Sequence, residues 1–231
     1  MKTIFITGTD TNIGKTFIGS LLLREFSAFG LKTFAIKPVA SDCHYNDGRQ
    51  LQSQDALHLQ ASASINKPYQ IINPIPLEEP TAPHLAARKM GIKLSKSIVK
   101  KSILSSLQQD ADINIVEGVG GWLVPLNGNE LFSDVISELK IPVILVVGIK
   151  LGCLNHALLT YKSIMDMKVP FLGWIANCLD PNAVSINENI NTLEKWIHPP
   201  CLGIVPYNCQ TLGYINIDVI QHCLFQQCGI P

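Results

Sequence analysis

The chain has 231 residues, of which 47% are hydrophobic and 16% charged, and its 18 Lys plus Arg are matched by 18 Asp plus Glu. A composition this apolar excludes an intrinsically disordered protein, and the length corresponds to one or two domains. The balanced charge leaves no global field to draw the chain to nucleic acid or an acidic membrane surface, although a local basic site stays open.

Strand-like apolar runs alternate with helix-like stretches along the chain. Ile4-Phe5-Ile6 leads into a glycine-bearing turn, and an amphipathic helix follows from about Thr16 to Phe29, closed by Gly30. The start, Met1 to Gly8, carries one charge and too brief an apolar patch for a secretory leader. Thr33 to Lys37 reads as the next strand, ended by Pro38; a long polar stretch with Asp47-Gly48 precedes a helix near Ser53 to Ala61. The segment 66–83 holds Pro68, Pro74, Pro76, Pro80 and Pro83 and is expected to be extended loop. Helical periodicity returns at 84–90 and 95–109, and Asp112 to Val116 is a third strand.

Further helices fit at 131–140, 154–167 and 183–197, between strands at Pro142 to Val147, Phe171 to Ala176 and Leu202 to Val205. The run Val143-Ile144-Leu145-Val146-Val147 is apolar throughout, which indicates burial on both faces as in a parallel sheet. It lies in the longest apolar run, which falls far short of the ~20 residues that cross a bilayer. One α/β domain with a mostly parallel sheet and helices on both faces is therefore expected, without repeats or linkers. The seven cysteines (Cys43, Cys153, Cys178, Cys201, Cys209, Cys223 and Cys228) form no CxxC pair and read as reduced, buried thiols of a cytoplasmic protein. No histidine has metal-ligand spacing, and His222-Cys223 with Cys228 is too sparse for zinc.

The strongest chemical signal is Gly8-Thr9-Asp10-Thr11-Asn12-Ile13-Gly14-Lys15-Thr16, set between a strand and a helix. Consecutive amides of such a loop, with the positive helix end, surround a polyphosphate. Lys15 supplies a point charge to the terminal phosphates, and the Thr16 hydroxyl can ligate Mg²⁺. Five residues instead of the standard four separate Gly8 from Gly14. A second metal-side group is normally an acid at the end of a later strand. Glu117 answers that description, since it closes Asp112-Ile113-Asn114-Ile115-Val116 and precedes Gly118-Val119-Gly120-Gly121. Strand ends of a parallel sheet gather at one edge, so Glu117 should face the loop. Asp55 opens a helix and reads on its own as a helix-start acid. Lys37 closes the second strand at the same edge, where it either reaches out to water or faces the nucleotide. The Ser41 hydroxyl lies just beyond.

Taken together, these blocks resemble dethiobiotin synthetase. The resemblance rests on Gly8-Thr9-Asp10-Thr11 with Gly14-Lys15-Thr16, on Lys37-Pro38-Val39-Ala40-Ser41, and on Glu79-Pro80-Thr81-Ala82-Pro83-His84. It continues in Glu117-Gly118-Val119-Gly120-Gly121-Trp122 and in Pro142 to His156. The blocks keep the family's order to about residue 180, and the five-residue loop spacing is the family's own.

The resemblance implies a single P-loop NTPase-like domain over 1–231. Its expected reaction closes a cyclic urea on 7,8-diaminononanoate with CO₂ and MgATP, yielding dethiobiotin, ADP and phosphate. Lys15 and Lys37 are then the catalytic lysines, and Thr16, Asp55 and Glu117 the Mg²⁺ ligands. ATP would be held by Asn12, Ile13, Gly14, Lys15, Thr16 and Phe17, by Gly118, Val119 and Gly120, and by the strand-end residues Asn177, Cys178, Pro206, Tyr207 and Asn208. Asn177 matches the family's adenine contact, for which an amide offers both a donor and an acceptor. Thr11 and Ser41 would surround the diamine and its carbamate.

Gly152, Cys153 and Asn155 would bind the substrate carboxylate across the interface of a homodimer; by itself Asn155 reads as a helix cap. Two departures bear on nucleotide selectivity: the tail Tyr207-Asn208-Cys209-Gln210 lacks an acidic ribose contact, and Cys178 stands where a polar residue is common. Two other readings use the same scaffold. An amidoligase would usually carry a glutamine-hydrolysing domain, for which the length leaves no room. An ATP-dependent dimerisation switch of the partitioning type would place another lysine early in the loop, where this chain has Thr9, Asp10, Thr11, Asn12 and Ile13.

Overall fold

A computed structural model of the protein describes residues 1–209 and 211–225. Gln210 and Cys228 lie outside the described residues. In chain order the elements are β1 (Lys2–Gly8), α1 (Lys15–Ala28), β2 (Thr33–Ile36), β3 (Val39–Ala40), β4 (His44–Tyr45), β5 (Leu51–Gln52), α2 (Gln54–Ser62) and α3 (Tyr69–Ile72). There follow β6 (Ile75–Pro76), α4 (Pro83–Lys89), α5 (Lys96–Ser106), β7 (Ile113–Glu117), α6 (Phe132–Leu139), β8 (Val143–Ile149) and α7 (Cys153–Asp166). The last are β9 (Phe171–Cys178), α8 (Ile186–Trp196), β10 (Cys201–Val205) and α9 (Ile217–Phe225).

Six strands form one parallel sheet in the order β10-β9-β8-β1-β7-β2. β2, β7, β8 and β9 are buried throughout and β1 from Ile4 onward, whereas β10 at the sheet edge leaves Ile204 exposed; the side chains alternate between two apolar layers. Ile4, Ile6, Ile144, Val146 and Ile175 pack with Ile18, Leu22 and Phe26 of α1 and Ile217 and Ile220 of α9. Phe5, Val143, Leu145, Val147 and Trp174 turn the other way, toward Val99 of α5, Val135 of α6, Ala157 of α7 and Leu193 of α8. The chain runs from β1 outward to β2, returns to β7, and then crosses to β8. Such a reversal opens a crevice at the carboxyl ends of the strands beside β1.

The proline-rich segment differs from the extended loop expected of it, because the prolines sit at element boundaries where a missing N–H is tolerated. Pro68 precedes the single turn of α3, and Pro83 opens α4. Between them Ile75 and Pro76 pair with Val39 and Ala40. The polar stretch also contains a small hairpin, His44 and Tyr45 opposite Gln52 and Leu51, closed through Asn46 and Gln50. α5 stops at Ser106, earlier than its periodicity suggests, because Leu107 has left the helical region. After Pro206 the chain forms α9, whose apolar residues cover the sheet beside α1. Cys43, Cys153, Cys178, Cys201 and Cys209 are free thiols. Among the described residues no helix is long and apolar enough to cross a membrane.

Candidate active site

The register puts the sequence-predicted residues on one rim. Gly8 ends β1 opposite Val146, Glu117 ends β7 opposite Ile6, and Lys37 follows Ile36, which lies opposite Val116. Asn177 lies beside Gly148 on one side and Val205 on the other.

The loop from Thr9 to Gly14 is shaped by two left-handed residues, Asn12 (φ 58°) and Gly14 (φ 83°). Only glycine suits the second position: a Cβ there would lie 2.2 Å from Asn177 Nδ2. That amide donates to the Ile13 carbonyl at 2.8 Å, pinning the loop to the end of β9. The Ile13 side chain is fully buried against Gly8 and Gly148, so only its backbone can reach a ligand. Thr11 and Asn12 are exposed at the loop tip, and Phe17 is half-buried behind it. The turn Gly118 to Gly121 lies against the loop, for a Cβ on Gly120 would be 3.7 Å from Thr11 Oγ1.

Two lysines and two acids meet beneath this loop. The Lys37 ammonium donates to Glu117 Oε1, to Asp55 Oδ2 at 3.0 Å and to the Gly118 carbonyl at 3.1 Å. Lys37 is 3% exposed, which excludes the reading in which it reaches out to water. Thr16 Oγ1 donates to Glu117 Oε1 at 2.8 Å, and Lys15 Nζ to the Asp10 carbonyl at 2.8 Å. Asp55, in the first turn of α2, is half-exposed.

Burial and neighbouring charge separate the two lysines. Burial, then the Lys37 charge, pushes the Lys15 pKa down to about 8. Burial also opposes charge on Lys37, but Glu117 and Asp55 outweigh it and hold that ammonium above its usual range. Asp55 is also opposed by burial and yet held below the usual carboxylate range, chiefly by Lys37.

The donor set fits Mg²⁺. A hydroxyl and two carboxylates are hard oxygen donors, and Mg²⁺ is commonly held by one or two carboxylates together with substrate phosphates. Glu117 Oε2 is buried and makes no hydrogen bond among the described residues, a costly state for a carboxylate oxygen that no cation reaches. The Ser41 hydroxyl is likewise buried without a partner among them.

The remaining candidates lie at or beyond the carboxyl ends of β8, β9 and β10, on the same rim, and make no hydrogen bond to this cluster among the described residues. Gly152 is the exposed N-cap of α7, Cys153 is buried, and Asn155 is exposed. Asn155 is the third helical residue, so the capping expected of it falls to Gly152, whose left-handed φ of 88° suits glycine. Pro206, Tyr207 and Asn208 are exposed beyond β10, and Cys178 is buried at the end of β9, where burial pushes its thiol up.

Sequence reasoning missed the pair Lys150 Nζ to Asp10 Oδ2 at 2.9 Å, which ties the phosphate loop to the segment before α7. Both residues stand inside quoted motifs, but no spacing rule links positions so far apart. A cavity of about 670 Å³, lined by Thr3, Leu104, Ile141 and Phe171 among others, opens at the opposite edge of the sheet. It contains none of the predicted residues.

Comparison with known proteins agrees with the resemblance and with the fold. A family model described as an AAA domain matches residues 2–212. An ATP-dependent dethiobiotin synthetase of Pseudomonas paraeruginosa is 45% identical over 206 residues, covering 89% of this chain and 90% of that protein. One from Aeromonas hydrophila is 40% identical over 208 residues, covering 90% and 91%. Among solved structures, the MinD cell division protein of Aquifex aeolicus superposes with a TM-score of 0.54 at 14% identity, covering 96% of this chain and 86% of that one. The signal recognition particle 54 kDa protein of Aeropyrum pernix, in complex with GDP, gives 0.52 at 14%, covering 98% and 46%. At such identities these structures speak to the fold alone.

Proposed function

Since the chain belongs to the family of ATP-dependent dethiobiotin synthetases, we propose that it closes the urea ring of dethiobiotin from 7,8-diaminononanoate, CO₂ and ATP in the cytoplasm. The observation that carries this reading is the buried Lys37, bridging Glu117 and Asp55 beside the phosphate-loop residues Lys15 and Thr16.

The residue types follow from the chemistry. One amine adds to CO₂ and loses a proton, giving an anionic carbamate that is a poor electrophile. Transfer of the γ-phosphoryl group from ATP makes a mixed carbamic–phosphoric anhydride. The neighbouring amine attacks its carbonyl carbon, the C–O bond to phosphate breaks, and a proton leaves the attacking nitrogen. Both amines must be neutral to attack, and the fixed Lys37 charge favours their deprotonation. The same cation stabilises the carbamate, while Lys15 meets the negative charge spread over the phosphoryl oxygens.

Thr16, Asp55 and Glu117 would hold Mg²⁺, which supplies charge neutralisation at the phosphates. Thr11 and Ser41 orient the carbamate end, and Asn177 offers an amide edge to adenine. No enzyme nucleophile is required. Holding both reactants at near-attack distance is worth about 7–11 kcal/mol in well-oriented systems.

The substrate carboxylate is assigned to the free amides at the start of α7, around Gly152, Cys153 and Asn155, contributed by a second copy of the chain. Exposed Leu123, Leu151 and Leu159 support such an interface. Omission assays test the reading: cyclic urea formation and phosphate release require ATP, Mg²⁺, bicarbonate and the diamine together. Equal ATP turnover without the diamine overturns it in favour of a nucleotide switch.

A further inference from the structure

Lys37 lies one residue beyond β2, and Asp55 is the second residue of α2. Their ammonium–carboxylate contact depends on how the ends of two separate elements are held. Tyr69 and Asn73, at either end of α3, connect those ends through a continuous buried chain of hydrogen bonds. The Ser53 N–H, at the N-cap of α2, donates to Tyr69 Oη at 2.7 Å. Tyr69 Oη donates to Asn73 Oδ1 at 2.9 Å, and Asn73 Nδ2 donates to the Lys37 carbonyl at 2.6 Å. The Lys37 N–H is taken by the Ile72 carbonyl at 2.8 Å. Both backbone groups of Lys37 are thus held by the exit of α3.

The polarity of this chain admits one arrangement. The Lys37 carbonyl can only accept, so Asn73 must turn Nδ2 toward it and Oδ1 toward Tyr69, whose hydroxyl donates to Oδ1 and accepts from the Ser53 N–H. Burial pushes the Tyr69 phenol up to about 12, so the hydroxyl keeps its proton at any working pH. Ser53, Tyr69 and Asn73 are 3%, 7% and 1% exposed, so water cannot replace a lost partner without rearrangement. The result is a rigid link between the peptide that carries Lys37 and the helix start that carries Asp55.

We propose that Tyr69 and Asn73 are positioning residues that fix the Lys37–Asp55 geometry and so set the affinity of the site for magnesium–nucleotide. For the chemical step this rests on the synthetase reading; for nucleotide binding it does not. The test compares Tyr69→Phe and Asn73→Ala with Ile72→Val, a core change in the same turn that keeps every hydrogen bond of the chain.

Binding of a non-hydrolysable ATP analogue is followed by calorimetry across a Mg²⁺ titration. Tyr69→Phe raises the Mg²⁺ half-saturation roughly three- to tenfold, as expected for the loss of buried hydrogen bonds. It lowers kcat with the KM for the diamine unchanged. Combined with Tyr69→Phe, Asn73→Ala shifts the half-saturation by less than the sum of the two single shifts, because the two act in one chain; fully additive shifts overturn the proposal. Ile72→Val lowers the melting temperature and leaves the Mg²⁺ half-saturation at the wild-type value. A wild-type half-saturation in Tyr69→Phe, or an equal shift in Ile72→Val, overturns the proposal. Should the wild-type protein show no diamine-dependent turnover, the synthetase reading fails, while the Mg²⁺ titration still decides this one.

Discussion

Nucleotide affinity should fall along an alkaline limb set by Lys15. Burial and the Lys37 charge push its pKa down to about 8 in the free protein. A bound triphosphate brings negative charge to the ammonium and favours its protonated form. Between pH 8 and the ordinary lysine value of 10.5, binding therefore takes up a proton, and affinity drops about tenfold per pH unit. From pH 7 to pH 9 the charged fraction falls from about nine-tenths to about one-tenth, so the dissociation constant should rise roughly tenfold. Lys37 does not contribute to this limb, because Glu117 and Asp55 keep it charged against the opposing effect of burial.

Calorimetry of ADP binding without divalent cation, in two buffers of different ionisation enthalpy, reads both the affinity and the proton uptake. Asp55→Asn removes a carboxylate that supports the Lys15 charge and should move the limb below pH 8. The contribution of Lys15 to stability has the opposite sign. Its folded pKa lies below the unfolded one, so the unfolded chain binds more protons in this window. The stabilisation gained by Lys15→Met is therefore full below pH 8 and fades toward pH 10.5. An affinity that stays flat from pH 7 to pH 9.5, or a limb unmoved by Asp55→Asn, refutes the assignment.

Glu117→Gln removes the charge that pairs with Lys37 from a carboxylate whose Oε2 is buried without a hydrogen bond among the described residues. A loss of about a hundredfold in kcat is expected, together with a weakened Mg²⁺ dependence; a wild-type metal titration would count against it. If the chain forms the proposed homodimer, Leu159→Glu, on the exposed face of α7, should shift it to monomers in sedimentation and raise the KM for the diamine; a wild-type protein that sediments as a monomer refutes the interface. The variant's affinity for nucleotide should stay the same. A monomeric variant with unchanged diamine kinetics would place the carboxylate site within one chain.

Much of this fold is legible in the sequence because the physics is local. Val143 to Val147 can only be a strand buried on both faces, and Gly14-Lys15-Thr16 after an apolar strand can only open a helix at a turn. The rim position of Glu117 follows from the same rule, since a parallel sheet gathers strand ends at one edge. What escapes is non-local. Tyr69 and Asn73 lie among prolines, where a loop is the natural expectation, and nothing in their spacing reveals that they join Ser53 to Lys37. The pairing of Asp10 with Lys150 spans two strands and has no periodic signature. α9 follows a polar turn and leaves its mark only as burial against β9 and β10.

The two lysines show why residue type alone underdetermines a site. Both stand at strand ends or loop ends of the same rim, and a sequence assigns them the same charge. In the folded chain Lys37 sits between two carboxylates and stays cationic, whereas Lys15 faces Lys37 and a carbonyl and stands near its own midpoint at pH 8. A pair of groups driven apart in this way divides the labour. On the proposed reading Lys37 would provide a constant field that favours neutral amines, while its contacts hold the Asp55 and Glu117 carboxylates. Lys15 gains its full charge when phosphate arrives, so part of the binding energy is spent on protonation and appears as the pH-dependent affinity. A Lys37→Gln variant should therefore lose turnover and also, by removing the repulsion, move the Lys15 limb to higher pH. If turnover fell while the limb stayed in place, Lys37 would not be the charge that holds Lys15 near neutrality.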